Sequence, residues 1–155
     1  MKLIVLGIGN ILMKDDGLGV YVVQQLSKRL WPEEVEFIDA GIASFEILDV
    51  FCSADQIIVV DSMTAGGEPG TIYRAPLQEL GLTVSPAVTS LHELHFTEAI
   101  KVVQMMGYNP QVIVFGVEPC LVELGMELTP AIAAKVPRLL ELVEAEIHRI
   151  LNANS

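Results

Sequence analysis

Basic residues are scarce in this sequence: 9 Lys and Arg stand against 20 Asp and Glu, giving a formal net charge of −11. Nucleic-acid binding depends on clustered Lys and Arg that release counterions from phosphates, so this balance argues against a nucleic-acid partner. The same acidity argues against electrostatic docking on an anionic membrane. Because 52% of the residues are hydrophobic and 19% are charged, the chain does not have the composition of a disordered protein either.

Long hydrophobic runs are also missing. Apolar stretches such as 3–6 and 112–115 fall far short of the roughly 20 residues that span a bilayer. Runs this short and this apolar are typical of parallel strands covered on both faces. The two cysteines, Cys52 and Cys120, form neither a CxxC pair nor a zinc-ligand spacing. We interpret them as buried thiols in a reducing compartment, which predicts a cytoplasmic protein.

Strand-like and helix-like segments alternate along the chain, which predicts right-handed crossovers and a mostly parallel sheet. Strands are predicted at about 2–7, 35–39, 56–61 and 111–117, with an edge strand at about 71–75. Helices are predicted at about 17–31, around 45–51, at 91–106 and at 136–150. We therefore expect residues 1–155 to form one α/β domain, a doubly wound, mostly parallel five-stranded sheet with helices on both faces.

Local signals support three of these helices. Leu18, Val22, Leu26 and Leu30 form an apolar stripe at helical spacing. Ser90 followed by Glu93 is the capping-box pattern and predicts a helix that begins directly after Ser90. Pro137 is expected either to kink the last helix or to occupy its first turn.

Acidic side chains follow several predicted strands at the edge where open α/β sheets bind their ligands. This edge would carry Asp16 in the loop after the first strand, Asp39, Asp61 and Glu118 at later strand ends, and His92 in the first turn of the capped helix. Two carboxylates and one imidazole with open positions suit a borderline divalent cation such as nickel, zinc or manganese. This convergence is the strongest functional indication that the residues themselves offer.

Each of these side chains also has a simpler interpretation. Asp15 or Asp16 could be the N-cap of the following helix, but one cap position takes one side chain. Asp39 and Asp61, each taken alone, are more often loop caps. His92 could bond locally, although a helix N-terminus disfavours imidazolium and keeps a neutral nitrogen available for a metal.

Other candidate side chains rank lower. His95 lies one helical turn beyond His92 and would be further from the strand ends, and His148 is expected to be solvated and far from the site. Cys120 is expected to be a buried, inert thiol. The pair 105–106 is interpreted as two core-filling methionines.

A nucleotide site in the first loop is a weaker alternative. Gly7 and Gly9 are followed by Leu12 where the dinucleotide fingerprint requires a third glycine, although Asp39 mimics the ribose-binding acid. The adjacent acidic pair 15–16 would repel a pyrophosphate. The chain contains no Walker lysine motif, GxSxG elbow or HExxH helix.

Several motifs, taken together, resemble those of the nickel–iron hydrogenase maturation endopeptidases along essentially the whole chain. The N-terminal signature is the segment Gly7-x-Gly9-Asn10-x-Leu12-x-x-Asp15-Asp16-Gly17-x-Gly19. Further matching segments are Asp39-Ala40-Gly41, Asp61, Ser90-Leu91-His92, Gly116-Val117-Glu118-Pro119 and Leu128-Thr129-Pro130. One departure is Ser62, because the family pattern has alanine or glycine after the aspartate.

This resemblance implies a doubly wound α/β endopeptidase that removes a C-terminal extension from a hydrogenase large-subunit precursor after nickel insertion. It further implies that the metal is engaged by Asp16, Asp61 and His92, and that nickel arrives in the substrate as the recognition signal. Zinc, cadmium or another divalent cation could occupy the same site. Residues near the site, namely Asn10, Asp39 and Gly41, are then candidates for contacts with the precursor.

The favoured mechanism is direct metal-assisted hydrolysis of the peptide bond, because no Ser/His or Cys/His nucleophile–base pair is readable in the chain. Metal binding could instead only position another group. A metallo-amidohydrolase with its own metal, and a non-catalytic module that binds metal or nucleotide, remain alternatives. A monomer is expected, since no heptad or self-association stripe is present.

Overall fold

One five-stranded sheet forms the centre of the protein, for which a computed structural model describes residues 1–41, 46–79 and 99–154. The strands are β1 (Leu3–Ile8), β2 (Val35–Gly41), β3 (Gln56–Ser62), β4 (Ile72–Pro76) and β5 (Gln111–Val117). Their spatial order is β2-β1-β3-β5-β4. All neighbouring pairs are parallel except the pair of β4 with β5, which is antiparallel. The predicted mostly parallel five-stranded sheet is therefore confirmed.

Helices cover both faces of this sheet. They are α1 (Leu18–Ser27), α2 (Glu46–Ser53), α3 (99–105), α4 (Pro130–Ala133) and α5 (Val136–Ala153), with 3₁₀ turns at Lys14–Gly17 and Leu77–Glu79. Alternate residues of β1 point to opposite faces, so that Leu3 packs with α1 and α5 whereas Ile4 packs with α2 and α3. Two apolar layers explain why β1 is buried along its whole length.

Helix α1 is shorter than the sequence predicts and ends at Ser27 rather than near residue 31. The indole N–H of Trp31 donates to the Leu26 carbonyl at 2.8 Å, and Pro32 disfavours helical backbone at the residue before it. Leu30, predicted to belong to the apolar stripe, is therefore fully exposed. Pro137 lies in the first turn of α5, which settles the alternative of a kink.

Three burial predictions are wrong. Cys120 is exposed because it lies on the surface loop after β5, and Cys52 is only half-buried. Met105 and Met106 are exposed at the end of α3, where Val103 makes the buried contact instead. Residues Ser90, Glu93, His92 and His95 lie outside the described residues, as does the first position of the helix predicted around 45–51. Within the part of the chain that is described, no helix is long and apolar enough to cross a membrane.

Candidate active site

Close backbone packing fixes the loop after β1 against the 3₁₀ turn and the start of α1 against β3. Gly9 has a φ of +138°, and a Cβ built on it would lie 1.8 Å from the Asp16 carbonyl oxygen. A Cβ on Gly19 would lie 2.1 Å from the carbonyl oxygen of Val60 in β3. Neither position accepts a side chain without a shift of the backbone. The glycines of the N-terminal signature therefore set where the neighbouring aspartates lie.

Asp15 is a structural anchor for the loop that follows β5. Its side chain is fully buried, and its carboxylate accepts hydrogen bonds from the main-chain N–H groups of Cys120, Leu121 and Thr129 at 3.0, 2.9 and 2.8 Å. The Thr129 hydroxyl donates to the same carboxylate at 2.9 and 3.1 Å. These contacts use the acceptor capacity of both oxygens, so Asp15 has little left for a ligand.

Asp16, by contrast, is partly exposed and accepts one hydrogen bond on each oxygen. The Asn10 N–H donates to Oδ2 at 2.9 Å, and the Ser62 hydroxyl donates to Oδ1 at 3.0 Å. A carboxylate offers about four lone-pair positions, so both oxygens can still bind a cation or water. The N-cap interpretation is wrong for both aspartates, because Gly17 occupies the N-cap of α1 without any side-chain cap bond.

Asp61 lies at the carboxyl end of β3, next to Ser62, and its side chain is 3% exposed. Its Oδ1 accepts the Ser62 N–H at 2.8 Å. Ser62 therefore contacts two carboxylates at once, Asp61 through its main chain and Asp16 through its hydroxyl. Two of the predicted metal ligands, Asp16 and Asp61, are thus brought to the same residue although they lie 45 positions apart in the sequence.

The end of β2 borders this site on one side. Asp39 is exposed, and its Oδ1 accepts the N–H of Gly41 at 3.0 Å. Gly41, with a φ of +54°, accepts the Gly9 N–H on its carbonyl at 2.9 Å, which joins β2 to the loop after β1. Strand β1 separates Asp39 from Asp61. In the same loop the Asn10 side-chain oxygen accepts the Leu12 N–H at 2.9 Å and shapes the turn.

Glu118 anchors the other side of the site, at the end of β5. It is 4% exposed and accepts the N–H groups of Ala65 at 2.9 Å and Gly67 at 2.7 Å, and the Tyr73 hydroxyl at 3.3 Å. Burial, followed by the charge of Glu118, raises the pKa of Tyr73 above 10.0. The sequence places Glu118 correctly at this edge, and its contacts assign it to holding the loop after β3.

Exposed apolar side chains form a rim beside Asp16, which we call the apolar rim. Ile11 and Leu12 are 47% and 50% exposed, and Leu124 and Met126 on the facing loop are 81% and 75% exposed. The two loops are joined through Gly125, whose carbonyl accepts the Lys14 N–H and whose N–H donates to the Leu12 carbonyl, both at 2.8 Å. Exposed apolar clusters of this kind are typical of surfaces that contact another protein.

The described donors of the site suit a divalent cation. The oxygens of Asp16 and Asp61 are ligands that such ions take, whereas His92, the third predicted ligand, lies outside the described residues. Within residues 1–41, 46–79 and 99–154 no group of three His, Cys, Asp or Glu is arranged to hold a metal. His148 is exposed, pairs with Glu144 at 3.7 Å and packs near Trp31 at the other end of α1.

In the sequence, Ser62 is recognisable only as a departure from the family pattern. Its role as the link between the two carboxylates depends on the approach of a loop that is far away in sequence. Nothing in the local sequence around Ser62 indicates that approach.

Comparison with known proteins identifies the relatives of this chain. A family model described as hydrogenase maturation protease (HycI) matches residues 20–146. The hydrogenase 2 maturation protease of Escherichia coli (strain K12) is 31% identical over 150 residues, which cover 95% of this chain and 91% of that protein. HupD of Rhodobacter capsulatus, a hydrogenase expression/formation protein, is 31% identical over 138 residues, and the match covers 87% of this chain but 66% of that longer protein.

A solved structure agrees with these matches. The hydrogenase maturating endopeptidase HybD from E. coli superposes with a TM-score of 0.86 at 30% identity, covering 96% of this chain and 93% of that one. The family model, the sequence relative and the solved structure all indicate the same family. The chain belongs to the hydrogenase maturation protease family.

Proposed function

We propose that the protein is an endopeptidase that removes the C-terminal extension of a nickel–iron hydrogenase large-subunit precursor after nickel insertion. The observation that carries this proposal is the exposure and the hydrogen bonding of the Asp16 carboxylate. Its carboxylate is partly exposed, keeps acceptor capacity on both oxygens and is linked through Ser62 to Asp61. Family membership supplies the reaction class, and this pair supplies a place for the metal that the precursor carries.

In this proposal nickel belongs to the substrate, and the protein tests for its presence. Asp16, Asp61 and His92 would complete the coordination of the nickel, with zinc or cadmium able to take the same donors. A divalent ion supplies Lewis-acid polarisation near the scissile peptide bond. The residues of the chain hold the ion, place the peptide beside it and keep the two carboxylates oriented toward it.

The precursor would bind across the edge that surrounds Asp16. Asn10, Asp39 and Gly41 form one border of this edge, and the apolar rim forms another. A protein substrate needs an apolar contact area as well as a cleavage centre, and the rim offers one. We further propose that residues 1–155 act as a single domain and as a monomer in the cytoplasm.

The test is incubation of the purified protein with a nickel-loaded and a nickel-free precursor, followed by mass spectrometry. Only the loaded precursor should lose its C-terminal peptide. Asp16→Ala should leave the loaded precursor intact, whereas the control Asp49→Ala, an exposed aspartate on α2, should process it at the wild-type rate. Wild-type cleavage by Asp16→Ala would contradict the proposal.

Metal analysis of the purified protein separates the proposal from a metallo-amidohydrolase that keeps its own metal. The proposal predicts no stoichiometric metal in the protein as isolated, before nickel or precursor is added. Tightly bound zinc or nickel at one equivalent would favour the amidohydrolase instead. Binding of a metal or a nucleotide without any cleavage would favour a non-catalytic module.

A further inference from the structure

We propose that Ser62 is a positioning residue whose hydroxyl holds the Asp16 carboxylate in the orientation in which it binds a divalent cation beside Asp61. This inference rests on the proposed function, because it assigns Asp16 and Asp61 to the same cation. It concerns a position at which the chain has serine where the family pattern has alanine or glycine.

The geometry around Ser62 is specific. The residue ends β3, where it pairs in register with Val117 of β5, and it is 8% exposed. Its hydroxyl donates to Asp16 Oδ1 at 3.0 Å and its N–H donates to Asp61 Oδ1 at 2.8 Å. A single residue on a buried strand therefore sets the position of one oxygen from each carboxylate.

The hydroxyl supplies what alanine or glycine could not. Asp16 extends from a 3₁₀ turn, and its only other hydrogen bond in the described part of the chain is the one from the Asn10 N–H to Oδ2. Donors on two different oxygens fix the plane of a carboxylate, whose terminal torsion is otherwise broad. Alanine at position 62 would keep the main-chain bond to Asp61 and lose the bond to Asp16.

The expected loss of metal affinity can be estimated from hydrogen bonds that orient metal ligands in other proteins. Removing a partner that orients a ligating side chain costs about 10- to 100-fold in metal affinity or activity. We therefore expect Ser62→Ala to bind Ni²⁺ about 10- to 100-fold more weakly than the wild-type protein. Ser62→Thr retains a hydroxyl at the same position and should recover most of that loss.

A serine bonded to a carboxylate could alternatively be a nucleophile with Asp16 as its base. A nucleophile is indispensable to turnover, whereas a positioning residue weakens binding by a limited factor. The two roles therefore differ in how much activity Ser62→Ala retains, and in whether nickel binding changes in the absence of any peptide.

The experiment is calorimetric titration of the full chain with Ni²⁺, without precursor, for wild type, Ser62→Ala, Ser62→Thr and the control Ser53→Ala. Ser53 is exposed and its hydroxyl donates to the Val50 carbonyl within the same helix at 3.0 Å, so its variant should bind nickel like wild type. Thermal unfolding confirms that each variant folds. Processing of the nickel-loaded precursor is measured in parallel.

The inference predicts weakened nickel binding and a matching partial loss of processing in Ser62→Ala, with recovery in Ser62→Thr. Unchanged affinity in Ser62→Ala would overturn it, as would absence of nickel binding by the wild-type chain. Complete loss of processing with unchanged nickel affinity would overturn it in favour of a nucleophile. Nickel affinity that depends on Ser62 in a protein that cleaves no precursor would refute the proposed function and support the inference.

Discussion

Two adjacent aspartates of the signature have opposite surroundings. Asp15 is fully buried and saturated by donors from residues 120, 121 and 129, whereas Asp16 is partly exposed and holds one donor on each oxygen. The family resemblance singles out Asp16 as the ligand, but the local sequence does not predict that Asp15 is a structural anchor. The donors that distinguish them are more than 100 residues away along the chain.

Asparagine substitutions should separate the two aspartates by stability and activity. Asp15→Asn replaces one acceptor oxygen with a donor amide and leaves buried N–H groups unpaired, which we expect to lower the free energy of unfolding by about 3 kcal/mol. Asp16→Asn should change it by less than about 1 kcal/mol while abolishing processing. Urea unfolding and the cleavage assay measure the two effects. Equal destabilisation by both variants would contradict this division of roles.

Elements were predicted best where a short apolar run is buried on both faces. The three inner strands β1, β3 and β5 follow this pattern. The observed bounds of all five strands lie within a few residues of the predicted ones. Two features could not be read from periodicity. The antiparallel direction of β4 depends on its partner β5, and the early end of α1 depends on Trp31 and Pro32 outside the helix.

An ion-pair network joins the edge strand β4 to α5. Arg74 and Arg149 donate to the buried carboxylate of Glu146 at 2.9 and 2.6 Å. Burial alone would raise the pKa of Glu146, but the hydrogen bonds from Arg149 and Arg74 outweigh it and bring the pKa below 4.5. A carboxyl group with a lowered pKa stabilises the fold fully above its unfolded-state pKa, and that contribution is lost as the pH falls through the folded-state value.

Glu146→Gln should therefore destabilise the protein at neutral pH by about 1–2 kcal/mol. The difference from wild type should shrink as the pH falls below about 4.5, because the wild-type carboxyl group then becomes protonated as well. Urea unfolding across this pH range measures both effects. Glu141 is an exposed residue of α5 that pairs with Arg138, and Glu141→Gln serves as the control. This variant should change the free energy of unfolding by less than about 0.5 kcal/mol. If the stability difference between wild type and Glu146→Gln grew toward acidic pH, the lowered pKa of Glu146 would be contradicted.

The apolar rim gives a prediction about the precursor. Leu124→Glu places a charge on an 81% exposed residue of the rim, so we expect the KM for the precursor to rise about tenfold with kcat and stability nearly unchanged. Leu30→Glu makes the same change at a fully exposed leucine after α1 and should leave KM unchanged. Steady-state kinetics with the nickel-loaded precursor compare the two. Equal KM values for both variants would show that the rim does not bind the substrate.

At the scale of the whole molecule, the acidic residues behind the net charge of −11 have different structural roles. Asp15 and Glu118 hold loops, and Glu146 ties an edge strand to a helix, each through buried contacts. Asp16 and Asp61 meet at Ser62, at the carboxyl edge of the parallel strands. The acidic composition excludes classes of partner, whereas the topology decides which few acids gather where a cation would bind.

A crystal of the protein soaked with Ni²⁺ or Cd²⁺, with the ion located by anomalous scattering, tests this account most directly. We predict one ion about 2.0–2.3 Å from oxygens of Asp16 and Asp61 and from a ring nitrogen of His92. An ion bound away from this pair of aspartates, or held by them without His92, would contradict the account.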